Sequence, residues 1–200
     1  MYSVRLSKEE QLREEIVQTA QQLFQQFGLH KTTMEDIAKA MRRGKSTLYY
    51  YFKSKDEVFE AVILKEIDEL FLNTHSAVEK LNCAEEKLKT HFSVSAKTMK
   101  RKVNLYKIVR GEMIESLTQV KNLTMKFNGR EIQSVKEILL IGIGNGEFSA
   151  SLKEDVDILA YSAVSAMRSL TFDLATEEKF PNWDERLSLL ISIFIKGLKS

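Results

Sequence analysis

Pro181 is the only proline in this chain of 200 residues, and glycine occurs just eight times. Both residues interrupt helices, proline by removing an N–H and clashing with the preceding turn, glycine through its conformational entropy. A chain this poor in both runs naturally in long helices with short connections. No segment alternates with the two-residue period of a strand for long enough to be one. The pattern predicts an all-α fold of about nine helices. Hydrophobic residues make up 44% of the chain and charged ones 29%, the balance of a folded soluble protein. Cys83 is the single cysteine, so no intrachain disulfide can form, and a reducing, cytoplasmic location is expected. No apolar run reaches the roughly 18 residues of a membrane span, and the first residues carry no apolar leader core.

Leu12, Ile16, Ala20, Leu23, Phe24 and Phe27 recur at three- and four-residue steps and predict a first helix over 8–27, closed by Gly28. Thr32 with Glu35, and Thr33 with Asp36, both offer capping-box spacing for a short helix over 33–41 that buries Ile37, Ala38 and Met41. Arg42-Arg43-Gly44 makes a turn. A third helix over 45–52 buries Leu48 and Phe52. Ser54 with Glu57 opens a long fourth helix carrying Val58, Phe59, Val62, Ile63, Ile67, Leu70 and Phe71. Beyond residue 75 the chain stays helical. Leu88, Phe92, Ala96 and Met99 mark one helix. Leu105, Tyr106, Val109 and Met113 mark another, and Ile132, Val135, Leu139 and Ile143 a third. Asn128-Gly129 is the best turn signal within 114–131. Two last helices are expected over 154–175 and 183–199, on either side of Pro181.

The chain carries a net charge of only +2. Yet Lys39, Arg42, Arg43, Lys45, Lys53 and Lys55 fall within seventeen residues that hold no acidic side chain. Two short helices meeting across a tight turn, with positive charge concentrated there, form the electrostatic footprint of a DNA-binding helix-turn-helix.

The last two helices are too apolar for one buried face, since a surface helix needs only about a 100° apolar stripe. The surplus predicts a second buried side. A two-fold homodimer interface is the economical place for it, with Leu159, Ala163, Met167, Leu187, Leu190, Ile191, Phe194 and Leu198 as candidates. The alternative is a helix central to its own domain.

The stretch from Ile16 to Phe59 resembles the TetR/AcrR family of one-component transcription regulators. The matching residues are Ala20-x-x-Leu23-Phe24-x-x-x-Gly28, Thr33-x-x-Asp36-Ile37-Ala38 and the run from Thr47 to Asp56, Thr-Leu-Tyr-Tyr-Tyr-Phe-Lys-Ser-Lys-Asp. Further on, Gly142-x-x-x-Gly146-Glu147-Phe148 is similar to the family's usual end to its seventh helix. The resemblance implies an N-terminal helix-turn-helix domain over 1–55 and a C-terminal ligand-binding and dimerisation bundle over 56–200. It also implies no cofactor, and a third helix that enters the major groove of double-stranded DNA.

On that reading Lys45, Ser46 and Thr47 lie in the first turn of the reading helix, where free N–H groups and the helix dipole favour phosphate. Lys45 and Ser46 are candidates for base edges. Thr33, Tyr49, Tyr50 and Lys55 are candidates for phosphate contacts, which set register without reading sequence. Three consecutive tyrosines cannot share one face, so Tyr51 packs inward or flanks the backbone. Arg5 is a candidate for a minor-groove arm. The turn departs from the family pattern. Relatives usually carry Gly-Val-Ser where this chain has Arg42-Arg43-Gly44, and a charged Arg43 cannot replace a buried valine. Arg42 and Arg43 are therefore expected to face DNA.

Phe71, Phe92, Met99, Tyr106, Met113 and Phe172 place aromatic and methionine side chains on inward faces. They are candidates for an adaptable pocket for a small, mostly apolar effector, although the same pattern serves plain core. His75 is a pocket-edge candidate. Neither it nor His91 has partners at metal spacing, so no metal site is expected. The chain shows no Ser-His-Asp order, phosphate-binding glycine loop or carboxylate dyad, which argues against an enzyme. A sequence-specific regulator, a repressor released by its effector, is the favoured function. A DNA-binding protein of the same fold that organises chromosomes and senses no ligand is the alternative.

Overall fold

The structure is a computed structural model that describes residues 7–101, 118–176 and 182–199. Among the described residues there are eight α-helices and no strand: α1 Lys8–Phe27, α2 Met34–Ala40, α3 Lys45–Tyr51, α4 Lys55–Glu79, α5 Ala84–Arg101, α6 Thr118–Gly144, α7 Val156–Thr176 and α8 Trp183–Gly197. A 3-10 turn, Ala150–Lys153, precedes α7. Arg5, Tyr106, Met113, Pro181 and the side chain of Phe172 lie outside the described residues.

The chain divides into two compact units within α4. The first holds residues up to Glu66 with 118–121; the second holds 67–101, 122–176 and 182–199. In the first, α1 is opened by a capping box between Ser7 and Glu10 and closed by Gly28 in the left-handed region (φ 84°), whose N–H reaches the Phe24 carbonyl. That φ suits glycine, which has no Cβ to clash. Ile16, Ala20 and Phe24 on α1, Ile37 on α2, Leu48 on α3, Phe52, and Val58 and Phe59 on α4 are all buried. Phe24 and Phe59 pack edge to face with centroids 5.5 Å apart. Of the two capping-box spacings ahead of α2, the chain uses Thr33 and Asp36. Thr32 is buried instead, and its hydroxyl donates to the Gly28 carbonyl at 2.8 Å.

The core of the second unit is built from Leu88, Phe92 and Ala96 of α5, Val135, Ile138 and Leu139 of α6, Val156, Ala160, Ala163 and Val164 of α7, and Trp183, Leu187, Ile191 and Ile195 of α8. Two expectations need correction here. Asn128-Gly129 makes no turn; α6 runs through it. A helical glycine costs only about 1 kcal/mol against alanine, and Asn128 is held from outside the helix, accepting a hydrogen bond from Arg168. The buried stripe of α6 is Glu131, Val135, Ile138, Leu139 and Gly142; Val135 and Leu139 are core as expected, while Ile132 and Ile143 are only half-buried and Glu131 and Ile138 take the remaining core positions.

Gly142-x-x-x-Gly146-Glu147-Phe148 has a structural job. Gly146 takes φ 73° and the chain reverses, with Glu147 and Phe148 N–H groups donating to the Gly142 carbonyl. The Phe148 ring then lies against Gly142 so closely that a Cβ there would sit 2.2 Å from it. The Glu147 carboxylate accepts from the Ala84 and Glu85 N–H groups and from the Cys83 thiol, all at 3.0–3.1 Å, and so caps α5. These donors hold its pKa below the usual carboxylate range.

Candidate nucleic-acid interface and effector cavity

The turn between α2 and α3 is a Schellman motif. Arg43 N–H donates to the Ala38 carbonyl and Arg42 N–H to the Lys39 carbonyl, both at 3.0 Å. The motif needs a left-handed residue just past the helix end, and here that residue is Arg42, at φ 54°. Glycine is the usual occupant, because any Cβ crowds the following carbonyl. Arg42 and Arg43 are both exposed. Gly44 then serves as the α3 N-cap without a side-chain hydrogen bond. Lys45 and Ser46 are exposed beside it and Thr47 is half-buried, while Leu48, 1% exposed, anchors the helix from beneath.

The remaining predicted contacts are each engaged within the first unit. Thr33 is exposed at the α2 N-cap; its hydroxyl accepts from Asp36 N–H and donates to the Asp36 carboxylate. These bonds hold the Asp36 pKa below its ordinary value. Lys45 forms an ion pair with Glu35 and lies over the Tyr49 ring. Its ammonium pKa is raised and that of Glu35 lowered, the hydrogen bond between them being the main cause. Tyr50, the most exposed of the three tyrosines at 69%, donates to Glu9 at 3.1 Å. Tyr51 is half-buried, edge to face with Tyr50. Lys55 donates to the Leu29 carbonyl at 2.8 Å. Sequence reading missed the two carboxylates that face this patch, Glu9 and Glu35. They lie outside the seventeen-residue window, and only the fold brings them back to it.

The second unit contains a cavity of about 190 Å³ between α4, α5 and α6. Of the predicted pocket residues Phe71 and His75 line it, stacked at 5.7 Å. Phe92 and Met99 are buried and line a smaller space on the other side of Glu131, with Ser95, Met167 and Arg168. The cavity wall is more polar than expected. It includes Thr74, His91 and Glu131, all buried. Among the described residues His91 Nε2 and Thr74 Oγ1 have no hydrogen-bond partner. Glu131 accepts one from Ser95 at 3.3 Å and lies 3.9 Å from His91 Nε2. Burial draws the His91 pKa down to about 4 and pushes Glu131 up to about 7, against the opposing pull of Arg168. One signal for Glu131 was present in the sequence, a carboxylate four residues before Val135 on an otherwise apolar stripe. No group of three or more metal-ligating side chains occurs among the described residues.

The apolar surplus of α7 and α8 also resolves into two faces. Ala163, Leu187, Ile191 and Leu198 were expected on a dimer interface but are buried in the unit's own core, at 2–4% exposure. Leu159, Met167 and Phe194 are half-buried against that core. On the opposite face Ile158, Tyr161, Leu189, Leu190 and Ile193 stay exposed, and of the eight candidates only Leu190 belongs to this set. An all-round apolar helix does not announce which stripe faces home; the i, i+4 series Trp183, Leu187, Ile191, Ile195 does so here.

Residues 16–62 match the sequence model of the bacterial regulatory proteins of the tetR family. Over 187 residues the chain is 25% identical to the uncharacterized HTH-type transcriptional regulator YhgD of Bacillus subtilis, covering 92% of this chain and 95% of that one. Over 149 residues it is 28% identical to the HTH-type transcriptional repressor KstR2 of Mycolicibacterium smegmatis, covering 74% and 71%. Its fold matches the crystal structure of a transcriptional regulator from Cytophaga hutchinsonii with a TM-score of 0.74 and 26% identity, over 94% of this chain and 98% of that one. With the helix-turn-helix geometry above, these likenesses support a DNA-binding transcription regulator of the TetR/AcrR family, whose sequence model residues 16–62 match.

Proposed function

We propose that the protein is a homodimeric repressor that binds an inverted-repeat operator and is released from it by a small molecule held in the second unit. One observation carries the reading. Arg42, Arg43, Lys45 and Ser46 are exposed together at the α2–α3 turn, over a buried Leu48. In the proposed complex Lys45 and Ser46 meet base edges, and Thr33, Thr47, Tyr49, Tyr50 and Lys55 meet phosphates. Arg42 and Arg43 add charge at the turn. The Lys45–Glu35 pair opens when the lysine turns to the groove, a small cost for an exposed pair. Similarity to a relative described as a repressor favours repression.

The exposed strip of Ile158, Tyr161, Leu189, Leu190 and Ile193 supplies the face for the second protomer, and two-fold pairing gives two reading helices for two half-sites. The α4 helix contributes residues to both units, which makes it the natural carrier of an effector signal. The effector shifts the protein toward a state that no longer fits both half-sites, and must bind that state more tightly.

Selection of bound duplexes from a random library by the purified, ligand-free protein tests the reading. An enriched inverted repeat is the expected result. Weak, salt-sensitive binding without enrichment overturns it.

A further inference from the structure

The cavity between α4, α5 and α6 holds more unmet hydrogen-bonding capacity than an apolar effector can use. Among the described residues His91 Nε2 and Thr74 Oγ1 are buried without hydrogen-bond partners, and Glu131 accepts a hydrogen bond from Ser95 at 3.3 Å. The Glu131 and His91 acceptors lie 3.9 Å apart. That is too far for a hydrogen bond between them, but close enough for both to accept from one ligand atom at about 2.9 Å. A neutral histidine with an unpartnered nitrogen, a hydroxyl and a carboxylate make three acceptors. A primary ammonium carries three N–H donors and no acceptor.

Charge on the wall points the same way. Glu79, Glu131 and Glu137 line the cavity, and among the described residues Lys87 is the one lysine or arginine that does. Its ammonium is already held by the Val78 carbonyl at 3.1 Å. At the rim His75 pairs with Glu79 at 2.9 Å. Arg168 on α7 faces Glu131 from the far side and is hydrogen-bonded to Asn128. Leu70, Phe71, Val78, Ile138 and Ile141 supply the apolar remainder. At about 190 Å³ the space exceeds the roughly 150 Å³ that admits benzene.

We propose that the effector is a small amphipathic primary amine, its ammonium bound by Glu131, His91 and Thr74 and its hydrocarbon body by the α4 and α6 side chains. This rests on the reading of the second unit as an effector-binding domain. The Glu131 carboxyl, pushed up to about 7 by burial, must ionise to pair with the ammonium, so affinity rises between pH 6 and pH 8.

The test is calorimetric titration of the full-length protein, without DNA, with hexylamine, 2-phenylethylamine and tryptamine. Each is compared with the alcohol of the same skeleton, and 3-phenylpropanoate is the anionic control. At least one amine should bind ten times more tightly than its alcohol, and more tightly at pH 8 than at pH 6. Glu131→Gln should weaken that amine at least tenfold, well beyond any loss for the alcohol, and flatten its pH dependence. Thr74→Val, which keeps the packing, should weaken it about threefold. No binding by any amine, equal binding by alcohol or carboxylate, or an amine affinity indifferent to both substitutions overturns the proposal. Release of labelled operator is followed separately. A Glu131-dependent amine that leaves the operator bound refutes release but not the ligand class; release by the carboxylate alone refutes the ligand class but not release.

Discussion

Arg42 holds a conformation that its side chain disfavours. An L-residue in the left-handed region costs about 1–2 kcal/mol, and glycine would avoid that cost at about 0.5–1 kcal/mol of extra chain entropy. Arg42→Gly should therefore stabilise the first unit by roughly 0.5–1 kcal/mol, read from denaturant unfolding, while weakening operator binding; a variant that is no more stable contradicts the strain. Backbone strain of this kind persists where function holds it. Arg43 carries no such strain, and its guanidinium is simply outward. Arg43→Ala should weaken operator binding by about 1 kcal/mol or more and shallow its dependence on salt, and an unchanged salt slope removes Arg43 from the interface. The substitution of Gly-Val-Ser by Arg-Arg-Gly was plain in the sequence. That the first arginine would sit at φ 54° follows only once the Schellman bonds to Lys39 and Ala38 are seen.

At the scale of elements, the helix starts and stops of the first unit were legible because each carries its own local chemistry: Gly28 after α1, Thr33 with Asp36 before α2, Gly44 before α3. Where the signal was periodicity alone, it was only half right. Val135 and Leu139 are core as expected, but Ile132 and Ile143 are apolar and only half-buried, whereas Glu131 is buried without being apolar. The Gly142 motif was recognised by likeness, and its reason is geometric. A methyl at Gly142 collides with the buried Phe148 ring and touches Ala84. Gly142→Ala should cost about 1–3 kcal/mol as overpacking, and Phe148→Leu in the same chain should recover part of it. Unaltered thermal stability of Gly142→Ala disproves the contact.

For the whole molecule, pH dependence and assembly are the measurable consequences. Glu131 has an ordinary carboxyl pKa of 4.5 when unfolded and about 7 when folded. Because the folded value is the higher, the unfolded chain ionises first. Stability is lost as pH rises from about 4.5 to 7 and stays level above, by about 3 kcal/mol at 1.36 kcal/mol per unit. Glu131→Gln should thus outlast the natural chain in denaturant at pH 8 and match it at pH 4; equal stability at both values contradicts the burial. The two faces of α8 separate by substitution too. Ile193→Asp, on the exposed strip, should leave a folded protomer that sediments as a monomer. Ile191→Asp, in the core, should prevent folding, because an unpaired buried charge is strongly destabilising. Sequence alone revealed that these helices had two apolar sides but not which was which, since that depends on where α5 and α7 pack. One helix thereby serves both the protomer's interior and its proposed partner. In such a dimer association and folding share α8, so stability rises with the logarithm of protein concentration, and dilution acts as a denaturant.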